Sequence, residues 1–498
     1  MTIPYPKLFI FFVVALSGAS YFAFRSQNKP RILAVDEVPI AFWAWWTNAP
    51  DTQHVRRVFA ATKAHTLFLR TGQFDSVNGN LQRVRNVSGK LPSSVDLHLV
   101  YNGTQRLLGE FEKLEIATAA RAIADVYRAD VLRSKQDGGN VLGLQLDFDM
   151  PTRVLPRYSD LLRQLRPLLP PDTKLSITGL PTWMTADEIT GVLDSVDFWI
   201  PQFYGGEIPT HLSRRVPISS ASDVERSVAQ VRELGKPFYA GIYAYSYAIH
   251  YARNGELIEL RGNMDQTVAA SHPDLELVER SYFSDDGGEL RYEYRAARDV
   301  VLYGLTIYSG ETLVFDIPTS ASVRSAARAV RHGAGELLLG ICVFRLPSSN
   351  DPTNLSALEI AEALSDKETV AIPKLSLAKN DGGSFSLRAT NEGTGRTIVG
   401  NGALTIDMTI PRGSVASVRG LSGISDYQTL CGDAEPCASQ RATILRLSSA
   451  SFQPGSSISW TMKFDSDMPD VFPTVVTTNV DDGRVIRQEY DLHISTEQ

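Results

Sequence analysis

Short apolar runs recur along the first 350 residues, separated by polar stretches of helical periodicity. Eight runs stand out: VPIAFWAWW (38–46), HTLFLRTGQF (65–74), VDLHLVYNG (95–103), VLGLQLDFD (141–149), KLSITGLPTW (174–183), VDFWIPQFYGG (196–206), KPFYAGIYAYSY (236–247) and ELLLGICVFRL (336–346). Their near-continuous apolar character predicts strands buried on both faces. Between them TQHVRRVFAATKA, GEFEKLEIATAARAIADVYRADVLRSK, RYSDLLRQLRPLL, TADEITGVLDSV, ASDVERSVAQVRELG and SASVRSAARAVRHG read as helices. Asp223 and Ser320 are expected N-caps, and Gly235 and Gly333 expected stops. Eight strand–helix units in about 330 residues predict an α/β fold, a (β/α)8 TIM barrel. An open doubly wound sheet is the alternative, but no glycine-rich phosphate loop follows the first run.

Two stretches break this rhythm. Between the seventh and eighth runs, ELRYEYRAARDVVLYGLTIYSGETLVFDIP (289–318) predicts antiparallel strands joined at Ser309-Gly310, a small β-rich insertion spanning about 248–318. From about residue 366 short alternating stretches such as SFSLRAT, GALTIDMTI, ATILRLSS and SISWTMKF predict a C-terminal all-β sandwich. The expected organisation is therefore a leader at 1–30, a barrel at 31–368 and a sandwich at 369–498. Within the leader, Lys7 precedes the 17-residue run LFIFFVVALSGASYFAF (8–24). That pattern fits a signal peptide or, at the lower limit of length, a membrane anchor. A buried N-terminal helix is the remaining reading. Either of the first two puts the body in the periplasm or outside the cell, in the second case tethered to the inner membrane.

Composition narrows the chemistry. The chain has 498 residues, a net charge of −7 and no long basic run, which argues against a nucleic-acid partner. Eight histidines and three cysteines without HxxxH or paired CxxC spacing give no metal signature, and no cofactor is expected. Cys431 and Cys437 in CGDAEPC are placed to close a disulfide loop in an oxidising compartment. Cys342, inside LLLGICVF, reads as a buried small hydrophobe.

Barrel chemistry sits at the C-terminal strand ends. Those ends carry Trp43, Trp45 and Trp46; Arg70; Tyr101 and Asn102; Gln145, Asp147 and Asp149; Trp183; Gln202 and Tyr204; Tyr243 and Tyr245; and Arg345. Aromatic faces with amides and carboxylates make a sugar-type lining. In VLGLQLDFDMP (141–151) strand alternation puts Gln145, Asp147 and Asp149 in one polar column, with Leu144, Leu146 and Phe148 opposite. Two carboxylates so close share a proton near neutrality, and a protonated carboxyl can act on a glycosidic oxygen. Plainer readings stand beside this one. The aspartates could cap the next helix or pair with Arg153, and two of the three tryptophans could be core. Gln202 and Tyr204 could be structural hydrogen bonders, and Arg345 could only pair with a carboxylate. His65 and His98 read as core histidines.

The stretch 142–151 resembles the fourth-strand signature of family 18 glycoside hydrolases, D-G-x-D-x-D-x-E. Gly143, Asp147 and Pro151 match, and Phe148 stands for the usual tryptophan. VDFWIPQFYGG resembles the sixth strand of those barrels, where a Gln-Phe-Tyr run lines the sugar site. The insertion, and VFDIPTSASVRSAARAV leading into LLLGICVF, also have counterparts there. The FRLP element (344–347) and the C-terminal β-domain resemble more closely an uncharacterised bacterial barrel family, a domain of unknown function related to these hydrolases. The departures are Leu142 and Gln145 for two aspartates and Asp149 for the acid glutamate. The resemblance implies Asp149 as general acid and Asp147 as the group that helps a substrate 2-acetamido group attack. Gln145, Gln202, Tyr204, Trp43, Trp183, Tyr101, Tyr243 and Arg345 would bind the sugar. The expected function is an extracytoplasmic hydrolase of a polysaccharide or oligosaccharide. A non-catalytic carbohydrate-binding barrel and an envelope scaffold are the alternatives.

Overall fold

The eight apolar runs form β1 (Ile40–Ala44), β2 (Ala64–Val77), β3 (Asp96–Gly103), β4 (Asn140–Asp147), β5 (Lys174–Gly179), β6 (Phe198–Pro201), β7 (Phe238–Tyr243) and β8 (Leu338–Phe344). Each pairs in parallel with the next, and β1 pairs with both β2 and β8, which closes the barrel. The computed structural model describes residues 30–496 except 263, 284–287, 349–350, 352, 411–414, 421–424, 433, 466–471 and 493. The apolar run 8–24 lies outside the described residues. Among those described, no helix is long and apolar enough to cross a membrane.

Helices α1 (Thr52–Thr62), α2 (Ile116–Gln136), α3 (Leu155–Leu165), α4 (Ile189–Leu193), α5 (Ala221–Glu233), α6 (Ser320–Gly333) and α7 (Ala357–Leu364) cover the strands. One unit departs from the rule. After β2 the chain turns at Asn78-Gly79, both with positive φ (53° and 78°), and strand Asn80–Asn86 returns antiparallel along β2. Asn-Gly is the usual residue pair for such a two-residue turn, so the hairpin has a local cause. The helix caps also shift from expectation. Ser220 rather than Asp223 caps α5, with Asp223 three residues inside, and Thr319 rather than Ser320 caps α6. In each case a hydroxyl earlier in the chain, three residues before Asp223 and one before Ser320, accepts from a free amide of the first turn. Gly235 follows α5 with φ 68°, and Gly333 is the last residue of α6.

Alternation divides the strands between two cores. Leu97, Leu99, Leu144, Leu146 and Phe148 face outward and pack with Tyr127, Leu161 and Leu162 of the helices. Ala41, Trp43, Phe68, Val100, Phe198, Ile200 and Cys342 face inward and fill the lumen. His98 belongs to this inner layer, 4.7 Å from the Phe68 ring, and burial holds its imidazole down at about 4. Its ring lies against Gly143, where a Cβ would meet Nδ1 at 2.6 Å. His65, in contrast, is exposed at the start of β2 and is no core residue. Cys342 is buried and free.

Between β7 and α6 a five-stranded antiparallel sheet runs in the order Leu257–Arg261, Tyr247–Tyr251, Thr312–Ile317, Leu290–Ala296, Leu275–Tyr282. Leu290–Ala296 and Thr312–Ile317 pair as expected, although a further hairpin (Val300–Leu302 with Leu305–Ile307) intervenes before the turn at Gly310. Beyond α7 two five-stranded sheets face each other over a core containing Leu387, Ile406, Leu447 and Trp460. In them Cys431 and Cys437 form a disulfide. The sandwich is tied to the barrel. Arg396 donates to both oxygens of Glu359 on α7 at 2.6 and 2.8 Å, and Asp481 accepts from the Ser320 amide at 2.9 Å.

Candidate functional site

The floor of the mouth is a buried polar relay. Trp43 Nε1 donates to Gln145 Oε1 at 2.8 Å, and Gln145 Nε2 donates to Ser176 Oγ at 3.4 Å. The indole fits because β7 carries Gly241 beneath it, where a Cβ would lie 3.1 Å from the ring and 2.8 Å from the Pro201 carbonyl. One step toward solvent on the same face, Asp147 Oδ1 accepts from Thr178 Oγ1 of β5 at 2.6 Å. Two residues further, Asp149 lies past the end of β4 and is exposed, while Phe148 between them is buried in the outer core. The polar column expected from alternation is present.

Neither aspartate caps the next helix: α3 begins after Val154, which makes no side-chain cap bond. Arg70 is tied to Asn102 Oδ1 at 2.9 Å and lies 5.1 Å over the Trp45 ring, rather than closing on either carboxylate. Asp147 is accordingly pushed up to about 7, by burial first and by the charge of Asp149 second, against the opposing Thr178 bond and the Arg70 charge. Burial also raises Asp149. Its carboxyl reaches water yet stands in a concave, atom-dense rim. Such a pair titrates as a unit, holding one proton between two carboxyls near neutral pH.

Aromatic rings surround this column. Phe344 at the end of β8 stacks on Tyr204 at 6.3 Å and 27°, and meets the rings of Trp43, Trp45 and Tyr245 at 6.0, 6.1 and 5.1 Å. Tyr243 lies 6.1 Å from Tyr204, and its hydroxyl donates to Glu289 of the insertion. Glu289 also accepts from the Ile218 and Ser219 amides, both at 2.7 Å, so the insertion holds the loop after β6. Burial pushes that carboxyl up to about 8.

Of the expected residues, the mouth brings together Trp43, Gln145, Asp147, Asp149, Tyr204 and Tyr243. Gln202 is half-buried beside Tyr204, at a cavity of about 420 Å³. Arg345 lies across the mouth at a cavity of about 950 Å³, and donates to Asp351 at 2.6 Å and Thr353 at 3.1 Å. Two residues lie elsewhere. Tyr101 points outward and donates to Asp130 of α2 at 2.8 Å. Trp183 sits in a turn beyond β5, donates to the Met150 carbonyl at 2.9 Å and packs on Tyr158. Both serve the helix layer. Thr178, Phe344 and Glu289 were not singled out by sequence. Alternation from Ser176 to Thr178 marks an inward polar pair on β5, whereas nothing local marks Glu289. The larger cavity borders Trp45 without reaching the aspartates, so charge rather than volume locates the chemistry. Among the described residues no group of three or more His, Cys, Asp or Glu could hold a metal ion.

Comparison with known proteins adds the following. No curated protein matches the chain. A chitinase from Chromobacterium violaceum aligns with 14% identity, covering 66% of this chain and 99% of that one, at a TM-score of 0.43. The spore cortex-lytic enzyme SleL of Bacillus megaterium aligns with 13% identity, covering 66% and 74%, at 0.42. A family 18 N-acetylglucosaminidase from Paenibacillus barengoltzii aligns with 14% identity, covering 66% and 99%, at 0.40. Residues 103–265, from the end of β3 through β7 and including both aspartates, match the family described as domain of unknown function DUF3142.

Proposed function

We propose that the barrel mouth is a glycan site in which Asp147 and Asp149 share one proton and deliver it to a glycosidic oxygen, making the chain a polysaccharide hydrolase. The observation that carries this reading is the unpaired state of Asp147. It lies in the lumen beside a second carboxyl, without an ion pair, and is pushed up to about 7. A carboxyl still protonated at neutral pH is what general acid catalysis of glycoside cleavage needs.

The proton that Asp147 holds passes to Asp149, which on the solvent side gives it to the leaving oxygen as the C–O bond breaks. Asp147 then faces the positive charge developing on the sugar ring, with Thr178 fixing its orientation. Water adds at the anomeric carbon, and its proton returns to the carboxylate. The resemblance to family 18 hydrolases adds a substrate 2-acetamido group as the first nucleophile, helped by Asp147. Tyr204, Phe344 and Trp45 offer the faces on which sugar rings stack. The run at 8–24 and the Cys431–Cys437 disulfide support an extracytoplasmic place for this activity.

The test is a polysaccharide panel assayed for new reducing ends with the native chain and Asp149→Asn. Release by the native chain and its loss in the variant is expected. Sugar affinity without release, unchanged in the variant, would replace hydrolysis by binding alone.

A further inference from the structure

The cavity of about 950 Å³ beside Trp45 continues into a second of about 600 Å³, and the two share His54, Arg57, Asp265, Ser348 and Asp351. Three parts of the chain build the combined groove. Trp45 and Trp46 come from the end of β1, Tyr303 from the hairpin of the insertion, and Gln453 and Pro454 from the sandwich. The walls are fixed. His54 Nε2 meets the Pro347 carbonyl at 2.6 Å, joining α1 to the segment after β8. Arg396, at the sandwich end, is held by Glu359 and by the Asn354 carbonyl at 2.8 Å.

The lining says what fits. Trp45 and Trp46 are half-buried and Tyr303 is 51% exposed, so three aromatic side chains border the open space. Asp51, Asp265 and Asp351 stand against Arg57 and Arg345, so the groove has no excess of positive charge. A polyanion such as a nucleic acid needs a positive field that this balance lacks. Each cavity alone has the size of a small-molecule site, so the pair takes a chain rather than one sugar. The groove meets the mouth at Trp45, whose other neighbour is Arg70, the cation whose charge acts on Asp147.

We infer that this groove binds the continuation of a neutral glycan chain whose reacting unit sits over the two aspartates, and that the C-terminal sandwich is its distal wall. The inference rests on the reading of the mouth as a glycan site. It assigns the sandwich a part in substrate length selection and makes the preferred ligand a polymer.

The experiment uses the full chain and calorimetric titration with hexamers and dimers of β-1,4-linked glucose, xylose and N-acetylglucosamine. At least one hexamer is expected to bind about tenfold or more tighter than its dimer, a gap of about 1.4 kcal/mol. In Tyr303→Ala and in Trp46→Ala that ratio falls toward one, and in Gln453→Ala it falls partway. Tyr303 is a surface residue, so its variant remains informative if Trp46→Ala folds poorly. No bound hexamer, a native ratio near one, or a ratio unchanged in Tyr303→Ala would overturn the groove. Turnover measured in parallel separates the two readings. An intact, Tyr303-dependent ratio without any released reducing ends would leave the groove standing and remove the hydrolase. Normal release with an unaltered ratio would do the reverse.

Discussion

Two acidic centres of this chain, one fully buried in the insertion and one half-buried at the barrel mouth, are built in opposite ways. In the insertion, Asp316 is fully buried and accepts two bonds from Arg291, itself fully buried, at 2.7 and 2.6 Å. At the barrel mouth, Asp147 has a hydroxyl and a second carboxyl for neighbours, while Arg70 is engaged with Asn102. The first arrangement neutralises its charge and joins two strands of a sheet. The second keeps an unneutralised carboxyl where sheet and helices could have supplied a cation. A fold gains no stability from that choice, which is why the mouth rather than the insertion is read as chemistry.

Breaking each centre should therefore act on different quantities. Arg291→Leu leaves Asp316 buried and alone, and is expected to lower stability by about 3–5 kcal/mol in denaturant unfolding. Asp149→Asn is expected to lower turnover by about 10²–10⁴-fold with little change in unfolding, since it removes a proton donor at an exposed position. Asp147→Asn should move stability the other way. The folded carboxyl, pushed up to about 7, binds its proton more tightly than the unfolded one near 3.9, so wild-type stability falls as pH rises from about 4 through 7. The variant lacks that loss and should be the more stable at pH 8, with little difference at pH 3. Unfolding midpoints at the two pH values decide it. The smallest effect is expected from Thr178→Val. Its lost bond favoured the ionised carboxyl, so the pH at which activity declines should rise by a few tenths of a unit.

How far the sequence foretold these centres depends on the range of the signal. Strand alternation is local, so the column Gln145–Asp147–Asp149 and the eight strands were legible. The same rule, applied to β3, separates His98, Val100 and Asn102 inside from Leu97, Leu99 and Tyr101 outside, and would have excluded Tyr101. Trp183 misled because it follows the strand, in a turn where alternation no longer applies. Glu289, 46 residues from the Tyr243 that it receives a bond from, is placed by packing of the insertion and has no local mark. The Asn78-Gly79 hairpin carries its own local mark, the turn pair, and lies between the second and third runs, where no helix was expected.

The central claim is that two carboxyls at the end of β4 hold one proton near neutral pH. The direct measurement is a pH titration of the aspartate carboxyl carbons by NMR in the native chain, with Asp147→Asn and Asp149→Asn to assign the pair. A carboxyl titrating near 7 that falls by a unit or more when its neighbour becomes asparagine is the expected result. Both carboxyls fully ionised by pH 5, each indifferent to the other, would contradict the account.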